Sequence, residues 1–269
     1  MSARAALRIG VTPCPNDTFV VGGLATGRLA LPDADVTLEL HDIEALNEAA
    51  LARRYDVVKV SCALYDELSP HYALLDVGAA IAEDYGPLIL SREPIAREDL
   101  VHARIVAPGA HTTGAALARI YAPEASLRHV RYDGIVPGLR RGDFDAGVVI
   151  HESRLSFRGM GLHCLVDLGH WWRASTGLPV ALGCYVIRLD LHARYARPLE
   201  ALLRRSITLA AGGDADIDAY IRRHAQEMGD QLLRDYIALY VNARTRRLGA
   251  AGRAAILELC ARLRAGVPA

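Results

Sequence analysis

Short apolar runs alternate with amphipathic stretches from Leu7 to about Leu189. Runs of about four to eight apolar residues, rich in Val and Ile and bounded by turn residues, predict buried strands. Strands are expected at 7–11 ("LRIGV"), 35–42, 56–60, 72–78, 86–92, 103–109, 127–133, 145–151 and 183–189. Apolar residues at helical spacing predict helices at 17–28, 43–53, 61–69, 112–121, 133–141, 170–176, 194–211, 213–226, 230–239 and 248–264. This alternation predicts an α/β protein with mainly parallel strands. From about Leu191 the pattern becomes helical, as in "ARPLEALLRRSITLAAG" and "GAAGRAAILELCARLRA". The extended runs 86–92 and 183–189 bracket a middle block and read as paired crossings between lobes. The expected organisation is a large lobe of residues 1–91 and 184–269, with a smaller α/β lobe, 92–183, inserted in it.

Composition supports two lobes. The chain has 269 residues, above the roughly 100–200 of a common single domain. Lys plus Arg equals Asp plus Glu, 31 against 31. No net field therefore draws nucleic acid or an anionic membrane. No run reaches the ~18 consecutive apolar residues of a membrane span. The start, "MSARAALRIG", does not read as a secretory signal. The cysteines (Cys14, Cys62, Cys164, Cys184, Cys260) are widely spaced and form no C-x-x-C. Free, mostly buried thiols in a reducing cytoplasm are expected. The partner expected is a small molecule, not nucleic acid or a membrane, and the sequence does not set the oligomeric state.

Candidate chemistry gathers where strands end. "LRIGV" runs into "TPCPNDTF", "DVVKV" into "SCALYDEL", "ARIVAPG" into "AHTTGAALARIY", and "DAGVVI" into "HESRL". In open α/β sheets, ligands bind outside the carboxyl ends of strands. Helix N-termini there offer free N–H groups and partial positive charge to anions. If both lobes offer such ends to one cleft, the protein closes around a small anionic or polyhydroxylated ligand. Each residue also has a plain structural reading. Ser61, Thr112 and Thr113 are suited to N-capping, as are Asn16 and Asp17. Pro13 and Pro15 stiffen their loop. Cys14 has no recognisable base beside it, which disfavours a nucleophile. His151 ends an apolar strand at a candidate ligand site, where an imidazole suits a general base near neutrality. His41, His71, His111 and His170 lie nearest the other candidate loops.

Several motifs fail. "GAHTTGAA" has the spacing of a phosphate loop but lacks its Lys and Ser/Thr, and "HESRL" lacks the second His of a zinc protease. There is no dinucleotide fingerprint and no nucleophile elbow. Neither cofactor nor metal is expected. Proton-transfer chemistry, or binding alone, is the reaction class left.

The segments "TPCPNDTF", "EALNEAAL", "YDVVKVSCALY", "YGPLILSR", "PGAHTTGAAL", "RYDGIVPGLRRGDFDAGVVIHESRLSF", "LVDLGHWWRASTGLPVALG" and "YVNART" together resemble the 1,4-dihydroxy-6-naphthoate synthases of the futalosine route to menaquinone. The resemblance spans about residues 7–250. It implies a two-lobed type II periplasmic-binding-protein-like fold with a central cleft and a helical C-terminal third. It implies a cofactor-free lyase that splits cyclic dehypoxanthinyl futalosine into 1,4-dihydroxy-6-naphthoate and a sugar-derived fragment. It assigns His151 as catalytic base. It places substrate contacts at Lys59, Val60 and Ser61, and at Thr113 and Gly114, with Thr112 beside them. Asn16 and Asp17 are expected on a proline-stiffened wall of the cleft. Departures from the family pattern are Thr12 for Ser, His170 for an acidic residue, and the more acidic "AEDYGPL". The alternatives are a chorismate dehydratase of the same pathway and a solute-binding protein for a small carboxylate.

Overall fold

The computed structural model describes residues 4–150, 153–225 and 229–266. In chain order the strands and helices are β1 (Ala5–Val11), α1 (Pro15–Ala25), β2 (Ala34–Leu40), α2 (Ile43–Leu51), β3 (Val57–Ser61), α3 (Tyr65–Leu68), β4 (Tyr72–Leu74) and β5 (Ala80–Ala82). There follow β6 (Leu88–Ser91), β7 (Ile105–Pro108), α4 (Thr113–Tyr121), β8 (Leu127–Val130), α5 (Ile135–Arg141), β9 (Ala146–Val149), α6 (Ser153–Ser156), β10 (His163–Asp167) and α7 (Leu168–Thr176). The chain ends with β11 (Val180–Arg188), α8 (Leu189–Ala211), α9 (Ala215–His224), α10 (Asp230–Tyr240), α11 (Ala243–Arg246) and α12 (Gly249–Ala265).

The chain divides into two compact units. The first holds the chain up to Ser61, then Tyr65–Ile81 and Gly183–Arg253. The second holds Cys62–Leu64, Ala82–Leu182 and the chain from Ala254 onward. The first boundary thus falls at Ile81–Ala82 rather than after residue 91. The reason is β6, which lies inside the second sheet between β10 and β9. The last helix also belongs mainly to the second unit rather than the first.

The first sheet runs β2-β1-β3-β11-β4, with β5 also on β11. β1 pairs parallel with β2 and β3, while β11 runs antiparallel to β3 and β4. The second sheet runs β10-β6-β9-β7-β8. There β7 is parallel to β8 and β9, and β6 is antiparallel to β9 and β10. The sheets are therefore mixed, not mainly parallel. A chain that leaves one unit and returns through β6 and β11 lays those two strands against the prevailing direction.

Each sheet has its own core. In the first, Leu7, Ile9 and Val57 pack with Phe19 and Val20 of α1 and Leu199 and Leu203 of α8. In the second, Leu88 and Leu90 pack with Val106, Ile135, Leu139 and Val149. Every residue of β3 is buried, which is why its sequence shows no alternation of apolar and polar positions. α1 starts at Pro15, two residues before the expected position. Proline suits the first helical position, because its missing N–H would have had no intrahelical partner there. α8 begins at Leu189 and runs through Pro198.

β10 and β5 were not expected. β10 is an edge strand with exposed residues and a register shift between Cys164 and Val166, so no alternation marks it. At the α7 start the backbones cross so closely that a Cβ on Gly169 would lie 2.0 Å from the Tyr85 carbonyl. Gly169→Ala should cost at least ~2 kcal/mol of stability. Gly134→Ala, at a position with open space around it, should change stability little. Thermal denaturation of the two variants checks this.

Candidate active site

Within each unit, three strands repeat one arrangement. β1 lies between β2 and β3, and β7 lies between β8 and β9. The chain leaves the middle strand to one side through a helix and returns on the other. The carboxyl ends of β1 and β3, and of β7 and β9, are therefore topological switch points, where loops diverge and a ligand fits. The nominated residues lie at these two places.

At the first switch point, the β1–β3 ladder stops at Gly10 and Val58. Beyond it, Lys59 extends into a buried polar cluster. Its ammonium lies 2.7 Å from Asp17 Oδ1, and both side chains are 3% exposed. It also donates to the Gly78 carbonyl at 2.9 Å and sits 4.9 Å above the Tyr185 ring. Asp17 accepts further bonds from Thr12 Oγ1 (2.6 Å), Asn16 Nδ2 (3.3 Å) and the Tyr185 hydroxyl (3.4 Å). Asn16 Oδ1 in turn accepts from the Tyr236 hydroxyl. Asn16 and Asp17 are thus not helix caps. The N-cap position is Cys14, which makes no side-chain capping bond. Thr12, the departure from Ser, supplies its hydroxyl to Asp17.

Burial, and then the Asp17 charge, push the Tyr185 phenol well above its usual value. It stays protonated and donates. Gly78 must be glycine here: its φ is +78° and a Cβ would lie 2.5 Å from the Tyr185 ring. The Gly78 loop is held from behind by "YVNART". Gly78 N donates to Thr245 O, Asn242 Nδ2 donates to Ile81 O, and Asn242 with Thr245 forms a capping box.

Val60 is fully buried. Ser61 ends β3 and does not cap a helix. Its N–H donates to Asn47 Oδ1 at 2.9 Å, and its Oγ accepts from Asn47 Nδ2 at 3.0 Å. Asn47, Tyr185, Gly78 and Tyr236 are members of this site that the sequence reading missed. The segment "EALNEAAL" held the one available signal, a polar Asn at an otherwise apolar helix position.

At the second switch point, Thr112 is the N-cap of α4 and accepts from Ala115 N. Thr113 is a joint rather than a cap. Its hydroxyl donates to Leu182 O at 2.8 Å and accepts from Ala63 N at 3.2 Å. Gly114 packs against Val148, with little room for a Cβ. The first turn of α4 offers the N–H groups of Thr113 and Gly114, suited to a carboxylate or an oxyanion. His151 and Glu152 follow β9 and lie outside the described residues. Arg154, just after them, donates to the Gly86 carbonyl (2.7 Å) and pairs with Asp167 (2.6 Å). Asp167 also caps α7. Three of the recognised segments, "YGPL", "IHESR" and "LVDLG", are therefore tied by one guanidinium.

The other nominated histidines are placed apart from these groups or at the surface. His41 and His71 are exposed, and His111 directly precedes the Thr112 cap. His170 pairs with Asp84 at 3.0 Å on the surface. Two departures from the family pattern, His170 and the acidic "AED", are therefore partners. Cys62, Cys184 and Cys260 are buried, Cys14 is partly exposed and Cys164 is exposed, and none of them forms a disulfide. Among the described residues no three His, Cys, Asp or Glu side chains group as a metal-ligand set. No helix among them is long and apolar enough to cross a membrane.

A family model described as menaquinone biosynthesis matches residues 7–265. This chain belongs to that family. It is 40% identical over 258 residues to a 1,4-dihydroxy-6-naphtoate synthase of Thermus thermophilus, covering 95% of this chain and 93% of that protein. It is 38% identical over 263 residues to the protein of the same name from Streptomyces coelicolor, covering 95% and 92%. The fold is periplasmic-binding-protein-like. An alkanesulfonate-binding protein from Xanthomonas axonopodis pv. citri, solved with MOPS bound, superposes with a TM-score of 0.73 at 12% identity, over 98% of this chain and 94% of that one. At that identity the likeness concerns the fold alone.

Two predictions follow from the first cluster. Removing one partner of a buried ion pair leaves an uncompensated charge and costs about 3–5 kcal/mol. Lys59→Met and Asp17→Asn should each destabilise the protein by that order, and the double variant should recover part of the loss. Chemical denaturation of the four proteins checks this. Tyr185 has a folded value above its unfolded one, so its stabilisation is complete below about pH 10 and is lost as the pH rises beyond. Tyr72, pushed up to about 12 mainly by burial, adds to the same slope. Tyr185→Phe should flatten the alkaline fall in stability, measured by denaturant midpoints on either side of about pH 10.

Proposed function

We propose that this chain is a lyase that forms 1,4-dihydroxy-6-naphthoate from cyclic dehypoxanthinyl futalosine in menaquinone biosynthesis. The observation that carries the reading is the match, at 40% and 38% identity over 95% of the chain, to two proteins named 1,4-dihydroxy-6-naphtoate synthase. The family match over residues 7–265 supports the pathway. The binding-protein neighbours share the fold at 12% identity, and function resides in the site rather than the fold.

His151 is the proposed catalytic base, on the resemblance of "IHESR" to the family motif. It abstracts a proton and starts a ring opening that ends in an aromatic product. The gain in aromaticity makes the sequence downhill, so one base and good orientation suffice, without a cofactor. Substrate contacts are assigned to both groups described above, each within its own unit. In the first unit they fall on Lys59, Val60 and Ser61. The Lys59 ammonium is committed to Asp17 and Gly78, so Lys59 acts by placing the strand end, and Ser61 supplies the polar contact. Asn16 and Asp17 act in the same way, holding the start of α1 and the loop that leads into it. In the second unit, Thr112 shapes the α4 start, and the Thr113 and Gly114 N–H groups stabilise negative charge on a substrate oxygen. The partner is a small molecule, and the reaction is placed in the cytoplasm.

The test is incubation with cyclic dehypoxanthinyl futalosine without added cofactor, followed by mass spectrometry. Wild type should form the naphthoate, and His151→Ala should form none while still binding substrate. Near-normal kcat in His151→Ala would remove the base assignment. No product from wild type, with turnover of chorismate or simple carboxylate binding instead, would replace the reading by one of the two alternatives.

A further inference from the structure

Asn47 lies in the interior of α2 and is fully buried. A buried amide destabilises unless its hydrogen bonds are made, and these bonds leave it one orientation. The Ser61 backbone N–H can only donate, so the Asn47 atom 2.9 Å from it is the carbonyl Oδ1. The opposite atom is then the amide nitrogen, which can only donate. It lies 3.0 Å from Ser61 Oγ and 3.2 Å from Glu44 Oε2. Ser61 Oγ is therefore an acceptor toward Asn47, and its own proton must go elsewhere. Among the described residues no acceptor takes that proton. Ser61 closes β3 at the first switch point, beyond the end of the β1–β3 ladder.

We propose that Asn47 is a positioning residue that makes Ser61 a hydrogen-bond donor to an acceptor oxygen, carboxylate or carbonyl, of the substrate. This rests on the reading of Ser61 as a substrate contact. A hydroxyl free to rotate could accept from a substrate hydroxyl as readily as donate to a carboxylate. The Asn47 amide removes that choice and selects for an acceptor.

The test uses Asn47→Asp, Ser61→Ala and their double variant, with Asn47→Ala as a second substitution. Aspartate keeps the shape and the bond from Ser61 N–H, but its second oxygen accepts. It captures the Ser61 proton and withdraws it from the substrate. Asn47→Asp should therefore lower kcat/KM about 10-fold or more, as loss of a hydrogen bond to a charged group does. Asn47→Ala, which frees the hydroxyl without capturing it, should lower it less. In the Ser61→Ala background neither substitution should lower kcat/KM further, because no proton remains to be oriented. Purely structural damage would add in both backgrounds. Additive losses, or a kcat/KM of Asn47→Asp within about 2-fold of wild type, would overturn the proposal. If Asn47→Asp does not fold, the same cycle runs with Asn47→Ala. Calorimetric Kd values for cyclic dehypoxanthinyl futalosine carry the cycle without turnover. Substrate that binds but is not converted by wild type would count against the reaction, while additive losses in Kd would count against the donor assignment.

Discussion

The first unit is organised around a charge pair shut away from bulk solvent. Asp17 and Lys59 are each 3% exposed and lie 2.7 Å apart. Two charges in such a setting are tolerable only when their remaining hydrogen-bonding capacity is filled. The surrounding residues fill it: Thr12, Asn16 and Tyr185 for the carboxylate, the Gly78 carbonyl and the Tyr185 ring for the ammonium. Because these groups come from the β1–α1 loop with the first turn of α1, from β3, from β11 and from the loop before β5, the pair joins four segments separated in sequence. Misplacing any of them exposes a charge to an apolar interior, so the cluster penalises other arrangements as much as it favours this one.

The second unit solves a comparable problem with neutral groups and one partly buried ion pair. Thr113 spends both hydroxyl functions on main-chain groups, at Leu182 and Ala63. Arg154 joins Gly86 to Asp167. In both units the side chains nearest the switch points are engaged with one another or in holding main chain. The polar groups left over are correspondingly few and directed: the Ser61 hydroxyl, the donor proposed above, in one unit and the first N–H groups of α4 in the other. Preorganised donors of this kind stabilise developing charge without reorganising.

Several segments recognised as motifs thereby acquire physical reasons. "TPCPNDTF" is crowded because it carries Thr12, Asn16 and Asp17 into the charge cluster, and Pro15 starts α1. "YVNART" holds the Gly78 loop. His170 and Asp84, which look like separate departures from the family pattern, compensate each other across 3.0 Å. Exposed pairs of this type contribute little to stability.

The sequence by itself determined the α/β class, most strands and helices, the helical C-terminal third and the loops that carry the candidate residues. Those features follow from local periodicity, turn residues and strand-end composition, which depend on neighbours in the chain. The tertiary structure alone decided what the polar residues do. Lys59 reads as a ligand group in "KVS", yet its ammonium turns to Asp17, because only the folded sheet brings α1 and β3 together. Asn47 looks like one polar residue among alanines until β3 sets Ser61 against it. The edge strand β10, the antiparallel placement of β6 and β11 and the boundary at Ile81 were likewise invisible. They are set by pairing partners distant in sequence, and no local pattern encodes which strand a strand will meet.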